Sequence, residues 1–267
     1  MMGWAVFVEP RLLIVREVSV ESVSWPRDRP PLRIALVADL HVGSPFNDLD
    51  RVDKIVDAVN AAYPQIVLLL GDYVSVCVVG GRAVSPELIA PRLSRLHAEI
   101  AIVAVLGNAD WLFDGERIRR AFAESGIPVL ENAVTSLDTE HGPVALAGIA
   151  DDSTRTPDVA GTLATVPDNQ PVIVAAHDPA TFLEVPSTVV ATFAGHTHGG
   201  QVSLPFIGAL RVPGRAPRAW AHGHVLAGKC RMYVSAGLGT SFLPMRFNMP
   251  PAIEIVTLRS AAIMEQV

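Results

Sequence analysis

The sequence predicts a layered α/β domain, two packed β-sheets with helices outside, on three observations. Short apolar runs alternate with amphipathic segments through the first half; the second half changes to short β runs separated by Pro/Gly-rich connections; and no linker, low-complexity tract or repeat divides the chain into two cores. The 267 residues are 50% hydrophobic and only 18% charged, which gives ample interior for a core and excludes a disordered chain. A formal charge of −6, with no basic tail, argues against nonspecific nucleic-acid binding, which needs Lys and Arg to displace counterions from phosphates.

The elements follow in order. The N-terminal MMGWAVFVEPRLLIVREV is interrupted by Glu9, Pro10 and Arg11 well short of the roughly 20 apolar residues of a membrane span. It has no basic region ahead of a long apolar run, so no cleaved signal peptide is expected. It reads as a first strand or its lead-in, or else as a weak peripheral membrane contact through Trp4, Val6, Phe7 and Val8. The run 33–38 predicts a buried strand, and Asn47 or Asp48 then caps a helix to about Ala62 with Val52, Ile55, Val56 and Val59 on one face. A second buried strand is expected over 66–70. Ser85-Pro86-Glu87 marks a helix start, with Leu88, Leu93 and Leu96 as its apolar stripe. The run 101–106 predicts a third strand, and 114–125 a helix stopped by Gly126. Further strands are expected over 134–137, 144–149, 172–176, 189–194, 232–236 and 253–258. Cys77 and Cys230 are too few and too far apart for a disulfide framework or a zinc knuckle, so reduced thiols and a cytoplasmic setting are the expectation.

Five of these strands run into polar clusters: Asp39-Leu40-His41, Gly71-Asp72, Gly107-Asn108-Ala109-Asp110, His177-Asp178-Pro179 and Gly195-His196-Thr197-His198-Gly199-Gly200. Ligands of open α/β sheets bind at the carboxyl ends of strands, so five such ends predict one site. Asp39 and His41, two apart on an extended chain, point to one side and can share a cation; His196 and His198 do the same. Carboxylate and imidazole without thiolate suit Mn, Fe, Zn or Co.

In this order the motifs resemble those of the calcineurin-like metallophosphoesterase superfamily, over about residues 33–258. Glu9-Pro10-Arg11, Gly199-Gly200-Gln201 and the segment from Tyr233 to Phe242 resemble its bacterial YkuE/YaeI-like phosphodiesterase branch. The resemblance implies a four-layer αββα sandwich of two mixed β-sheets flanked by helices, with an N-terminal extension over 1–32, the catalytic domain over 33–260 and a tail over 261–267. It implies two divalent ions: Asp39, His41 and His198 on the first, Asn108, His177 and His196 on the second, and Asp72 bridging them. A hydroxide shared by the ions would attack a phosphodiester or phosphomonoester. An enzyme cleaving a UDP-2,3-diacylglucosamine-type pyrophosphate is the alternative, and a noncatalytic protein binding metal and a phosphorylated ligand is the rival from another class.

At one position the sequence departs from the family pattern, Gly-Asn-His-Asp/Glu. The leaving-group histidine is replaced by Ala109, and Asp110 would normally orient it. Such an imidazole is worth roughly a hundredfold or more in rate. The chain thus reads as an inactivated variant, as a natural enzyme whose leaving group needs no acid or finds another, or as a pseudoenzyme. His222 and His224, in a Gly/Pro-rich stretch, read as substitute acids or as exposed loop histidines, and His97 and His141 as surface residues. Arg246 reads as a phosphate clamp or as the partner of a surface carboxylate. Trp111, Leu112 and Phe113 read as an apolar wall for a lipid or aryl group, or as core.

Overall fold

Two β-sheets face each other at the centre of the molecule, a computed structural model describing residues 2–262. The first sheet has five strands in the order β1 (Ile14–Ser22), β13 (Ala252–Ser260), β2 (Leu32–Val37), β3 (Ile66–Leu69) and β4 (Ala101–Ala104). The second has six, in the order β11 (Gly223–Ala227), β12 (Cys230–Val234), β8 (Ala191–Ala194), β7 (Val172–Ala175), β6 (Val144–Gly148) and β5 (Ala133–Leu137). Both are mixed: β2, β3 and β4 are parallel while β13 runs antiparallel to β2, and β6, β7, β8 and β12 are parallel between antiparallel edges. A two-stranded hairpin of β9 (Ser203–Leu204) and β10 (Gly208–Ala209) stands apart.

The continuous apolar runs are buried on both faces, as expected where helices cover a parallel sheet. Along β2 the side chains alternate between two cores. Ala35 and Val37 join Val52, Ile55 and Val59 of α2 (Leu49–Asn60), Ile89 and Leu93 of α3 (Pro86–Leu93), and Ile118 and Phe122 of α4 (Asn108–Glu124). Ile34 and Leu36 instead face Leu146, Ile173 and Phe193 of the second sheet. A third core lies on the far side of that sheet, where Ala147, Val174 and Val234 meet Val159 of α5 (Val159–Leu163) and Phe182. Three cores separate four layers, and the fourth is thin: α5 has five residues and the rest of the cover is a 3-10 turn at 179–184.

Several local expectations are corrected. The N-terminal segment is the lead-in to the first strand rather than all strand: a helix, α1 (Met2–Phe7), and a 3-10 turn at 9–11 precede β1, which starts at Ile14 in the main sheet. The α2 cap is Asp48, whose side chain accepts from Arg51 N at 2.9 Å. Leu88 is exposed, because the buried stripe of α3 follows Pro86, Ile89, Ala90 and Leu93. Helix α4 starts six residues before its predicted start and breaks at Asp114, whose side chain accepts from Arg117 N at 3.0 Å and restarts the helix there. His97 and His141 are exposed, and both cysteines are free. Of the tail expected over 261–267, residues 263–267 lie outside the described residues.

Candidate metal centre

All five polar clusters lie where the strands end, along the seam between the sheets, and their side chains are brought together with almost no exposure to solvent. Asp39, His41, Asp72, His177, His196 and His198 are all buried. Around one point stand His41 Nε2 and His198 Nε2, 3.1 Å apart, with Asp72 Oδ2 3.3 Å from His41 Nε2 and Asp39 Oδ1 3.5 Å from His198 Nε2. Around a second stand His177 Nε2 and His196 Nδ1, 3.1 Å apart, with Asn108 Oδ1 at 3.2 Å and Asp72 Oδ1 at 3.4 Å from His177 Nε2. Asp72 thus turns one carboxylate oxygen to each group.

Extended backbone does not achieve this. Asp39, His41, Asp72, His196 and His198 all have positive φ, between 41° and 69°, so these five lie on left-handed turns past the strand ends. Left-handed geometry costs a non-glycine residue of order 1 kcal/mol or more and persists only where its surroundings enforce it. Close glycines are part of that enforcement. A Cβ on Gly107 would collide with Asp72 Oδ1 and the His177 ring, and one on Gly237 would press on the Asp39 side chain.

The donor set fits divalent cations. Imidazole nitrogens and carboxylate oxygens, with no thiolate among them, converge in two overlapping groups, Asp39/His41/Asp72/His198 and Asp72/His177/His196. His177 is already set for ligation: its Nδ1 lies 2.7 Å from the Leu70 carbonyl, to which it can donate, leaving Nε2 free.

The electrostatics are those of a site built to hold positive charge. Burial works against the ionised form of Asp72, but His177 and His41 outweigh it and keep the carboxyl well below its ordinary range. Reciprocally, although burial opposes it, Asp72 raises His177 well above the usual histidine value and raises His41 also. Burial lowers His198, helped by His41 and Arg246, and lowers His196, helped by His177. Burial also pushes Asp39 up to about 6, with the His177 charge opposing and the Asp72 charge adding.

The profile of the calcineurin-like phosphoesterases matches residues 32–227. The chain belongs to that family. This phosphoesterase is similar to the metallophosphoesterase YkuE of Bacillus subtilis, 27% identical over 97% of this chain and 90% of that one, and to the phosphodiesterase YaeI of Escherichia coli, 26% identical over 96% and 89%. Among solved structures it resembles the NAD nucleotidase of Haemophilus influenzae, with a TM-score of 0.51, 12% identity, and 78% of this chain covered. It spans only 45% of that chain, and the likeness is one of fold. Family and buried His/Asp cluster together make it a metal-dependent phosphoesterase.

Ala109 is buried at the start of α4, and its amide donates to Asp72 Oδ1 at 2.8 Å. Asp110 has a different task from orienting a histidine. Its fully buried carboxylate accepts from the amides of Gly107 at 2.9 Å and of Asp72 and Tyr73 at 2.8 Å, so it ties the loop carrying Asp72 to the loop carrying Asn108. Burial and the Asp72 charge push it up to about 7 against the pull of those donors.

Arg246 is not at the surface and offers no free fork to a phosphate. It is fully buried, with its guanidinium donating to the carbonyls of Ala236, Gly239 and Met249 and lying 3.5 Å from His198 Nδ1. Burial lowers it to about 10. His222 lies in the bend just before β11 and the exposed His224 lies on that strand, both with ring edges against Tyr233. His222 Nε2 is 2.9 Å from Arg16 and 3.7 Å from the buried Glu254. Trp111 and Phe113 pack partly on the helix-side core, while Leu112 is exposed.

Two acidic residues near the site, Asp178 and Asp151, have no role assigned from the sequence. Asp178 Oδ2 lies 3.6 Å from His196 Nε2 and accepts from Ser153 Oγ at 3.2 Å. Asp151, buried, helps raise His177. Asp151-Asp152 follows the apolar run 144–149 just as the other clusters follow theirs, a signal present in the sequence.

Proposed function

We propose that the protein is a phosphodiesterase working with two divalent ions, Mn, Fe, Zn or Co, on a small phosphoester. The observation that carries this reading is Asp72, with its two oxygens turned to two separate histidine groups. When bound, such ions supply Lewis acidity to phosphate oxygens and lower the pKa of water. The residues divide the work. Asp39, His41 and His198 would hold one ion, Asn108, His177 and His196 the other, and Asp72 would be shared between them. The Leu70 carbonyl orients His177, and orienting groups of this kind typically matter 10- to 100-fold in affinity or activity. Asp110 fixes the loop that presents Asp72. Arg246 holds the carbonyls of the loop beyond β12 beside His198.

No imidazole stands at Ala109, so the chain offers no acid there to a departing alkoxide. This supports a substrate whose leaving group is a weak base. The relative named a phosphodiesterase supports the diester class. Ala109 also gives weight to a second reading, a noncatalytic protein that binds metal and a phosphorylated ligand.

Metal content and hydrolysis of bis-p-nitrophenyl phosphate with added Mn²⁺ test both. Two ions per chain with turnover are expected. Two ions without turnover, in this chain and in Ala109→His alike, would establish the noncatalytic reading. Fewer than two ions at saturating metal would overturn the binuclear one.

A further inference from the structure

Charge is segregated along this chain. Residues 185–253 contain no Asp or Glu and six Arg or Lys, a local +6 that leaves −12 for the remainder. Residues 73–84 likewise carry a single charge, Arg82, and residues 2–8 carry none. These three stretches meet at the metal end of the molecule. Ala5 of α1 accepts from Arg246 N, the strand-like contact of Phe247 with Val202 joins the hairpin β9–β10, and Val79 N donates to Phe242 O.

Their apolar side chains point outward. Trp4, Phe7, Val79, Phe206, Phe242 and Leu243 are all at least half exposed, and Phe206 is fully so. Beside them an open groove of about 250 Å³ is lined largely by Val76, Val78, Ala83, Leu112 and Phe113. Exposed arginines accompany the patch: Arg11, Arg82, Arg211 and Arg218, none of them ion-paired among the described residues. Phe206 and Phe242 also hold left-handed φ, 67° and 58°, a conformation disfavoured for bulky residues. Large contiguous apolar surface is rare on monomers and marks an interaction site.

We infer that this face docks on an anionic lipid bilayer, its aromatic residues entering the interface and its arginines meeting the headgroup phosphates. Aromatic side chains favour that interface, and basic residues beside an anionic membrane gain attraction that fades with salt. The segregation lets a chain of net −6 approach a negative surface, because the acidic balance lies in the remaining segments. No described helix is long and apolar enough to cross a membrane. The docking does not depend on the phosphoesterase reading.

Sedimentation with vesicles of phosphatidylcholine, alone or mixed with phosphatidylglycerol, tests it. Binding is expected to the mixed vesicles only and to weaken at high salt. Asparagine tolerates left-handed φ, so Phe206→Asn with Phe242→Asn leaves the fold intact and should weaken binding about tenfold or more. Arg211→Glu with Arg218→Glu should weaken it at least about fivefold per charge. Hydrolysis of bis-p-nitrophenyl phosphate, followed in parallel, should be unchanged in all four substitutions. Vesicle binding without hydrolysis would uphold the docking while removing the enzymatic reading. Absence of phosphatidylglycerol-dependent binding would overturn the docking, as would sedimentation velocity showing the patch covered by a second copy of this chain.

Discussion

Asp110 offers the sharpest test of how the site is built, because its carboxylate serves main-chain amides and nothing else. In Asp110→Ala the amides of Gly107, Asp72 and Tyr73 lose their acceptor inside a region closed to water. Each stranded donor costs about 1–3 kcal/mol, and relief from burying a carboxylate offsets part of this, so a net loss of about 3–6 kcal/mol is expected. Asp110→Asn separates the contributions. One oxygen of Asp110 accepts from both Asp72 N and Gly107 N, the other from Tyr73 N and, more weakly at 3.5 Å, from Val74 N. An amide oxygen in the first place keeps two bonds but turns an NH₂ toward Tyr73 N, for a loss of about 1–3 kcal/mol. Urea unfolding in EDTA at pH 8, above the raised value of about 7, keeps the wild-type carboxylate mostly ionised. An Ala variant within about 1 kcal/mol of wild type would refute the reasoning, as would an Asn variant less stable than the Ala variant.

Three further outcomes are expected. Ala109→His should raise kcat/KM on alkyl phosphodiesters about tenfold or more beyond any gain on aryl diesters, and an equal change on both would count against a leaving-group role. Asp72→Asn removes the shared charge, so metal analysis should find at least one ion fewer per chain than in wild type; unchanged content would contradict the bridging assignment. Asp72 strengthens the hold of His177 on a proton, and ligation needs the neutral ring, so metal and proton compete for this site. Metal uptake should therefore release protons and weaken as pH falls. Calorimetry in buffers of different ionisation enthalpy reads this, and a heat independent of buffer would refute it.

The motifs that converge on the buried His/Asp cluster were legible in the sequence because they are built from a few residue types and the strands ahead of them are unbroken apolar runs. Their geometry was not. Asp39-Leu40-His41 looks like a continuing strand, and nothing in three non-glycine residues announces left-handed turns; the constraint comes from Gly107, Gly237 and other neighbours distant in sequence. Arg246 resembled a surface cation because isolated charge is costly to bury, and the cost is met by carbonyls from three loop positions that only the fold assembles. The alternation of β1 was readable at Val18 and Val20, but Arg16 and Glu17 disguise an edge strand with one face in water. In Gly223–Ala227, glycine and histidine hid a strand that is largely exposed. Asp110 was noticed for its position beside residue 109, whereas its contacts are set by a turn 37 to 38 residues earlier.

The pairing of β1 with β13 has a consequence for the order in which the protein assembles. Ile14 lies against Ala252, and β13 separates β1 from β2 in the first sheet. During synthesis residues 14–22 therefore have no strand to join until residues 252–260 have been made. Until then β2 has an open edge at its β13 side, and Ile255 and Val256 are missing from two of the three cores. Contacts so distant in sequence form slowly, and an unpaired edge invites association with other chains. The nascent molecule can assemble its second sheet from neighbouring segments, but the sheet that carries Asp39 and Asp72 is closed by its last strand.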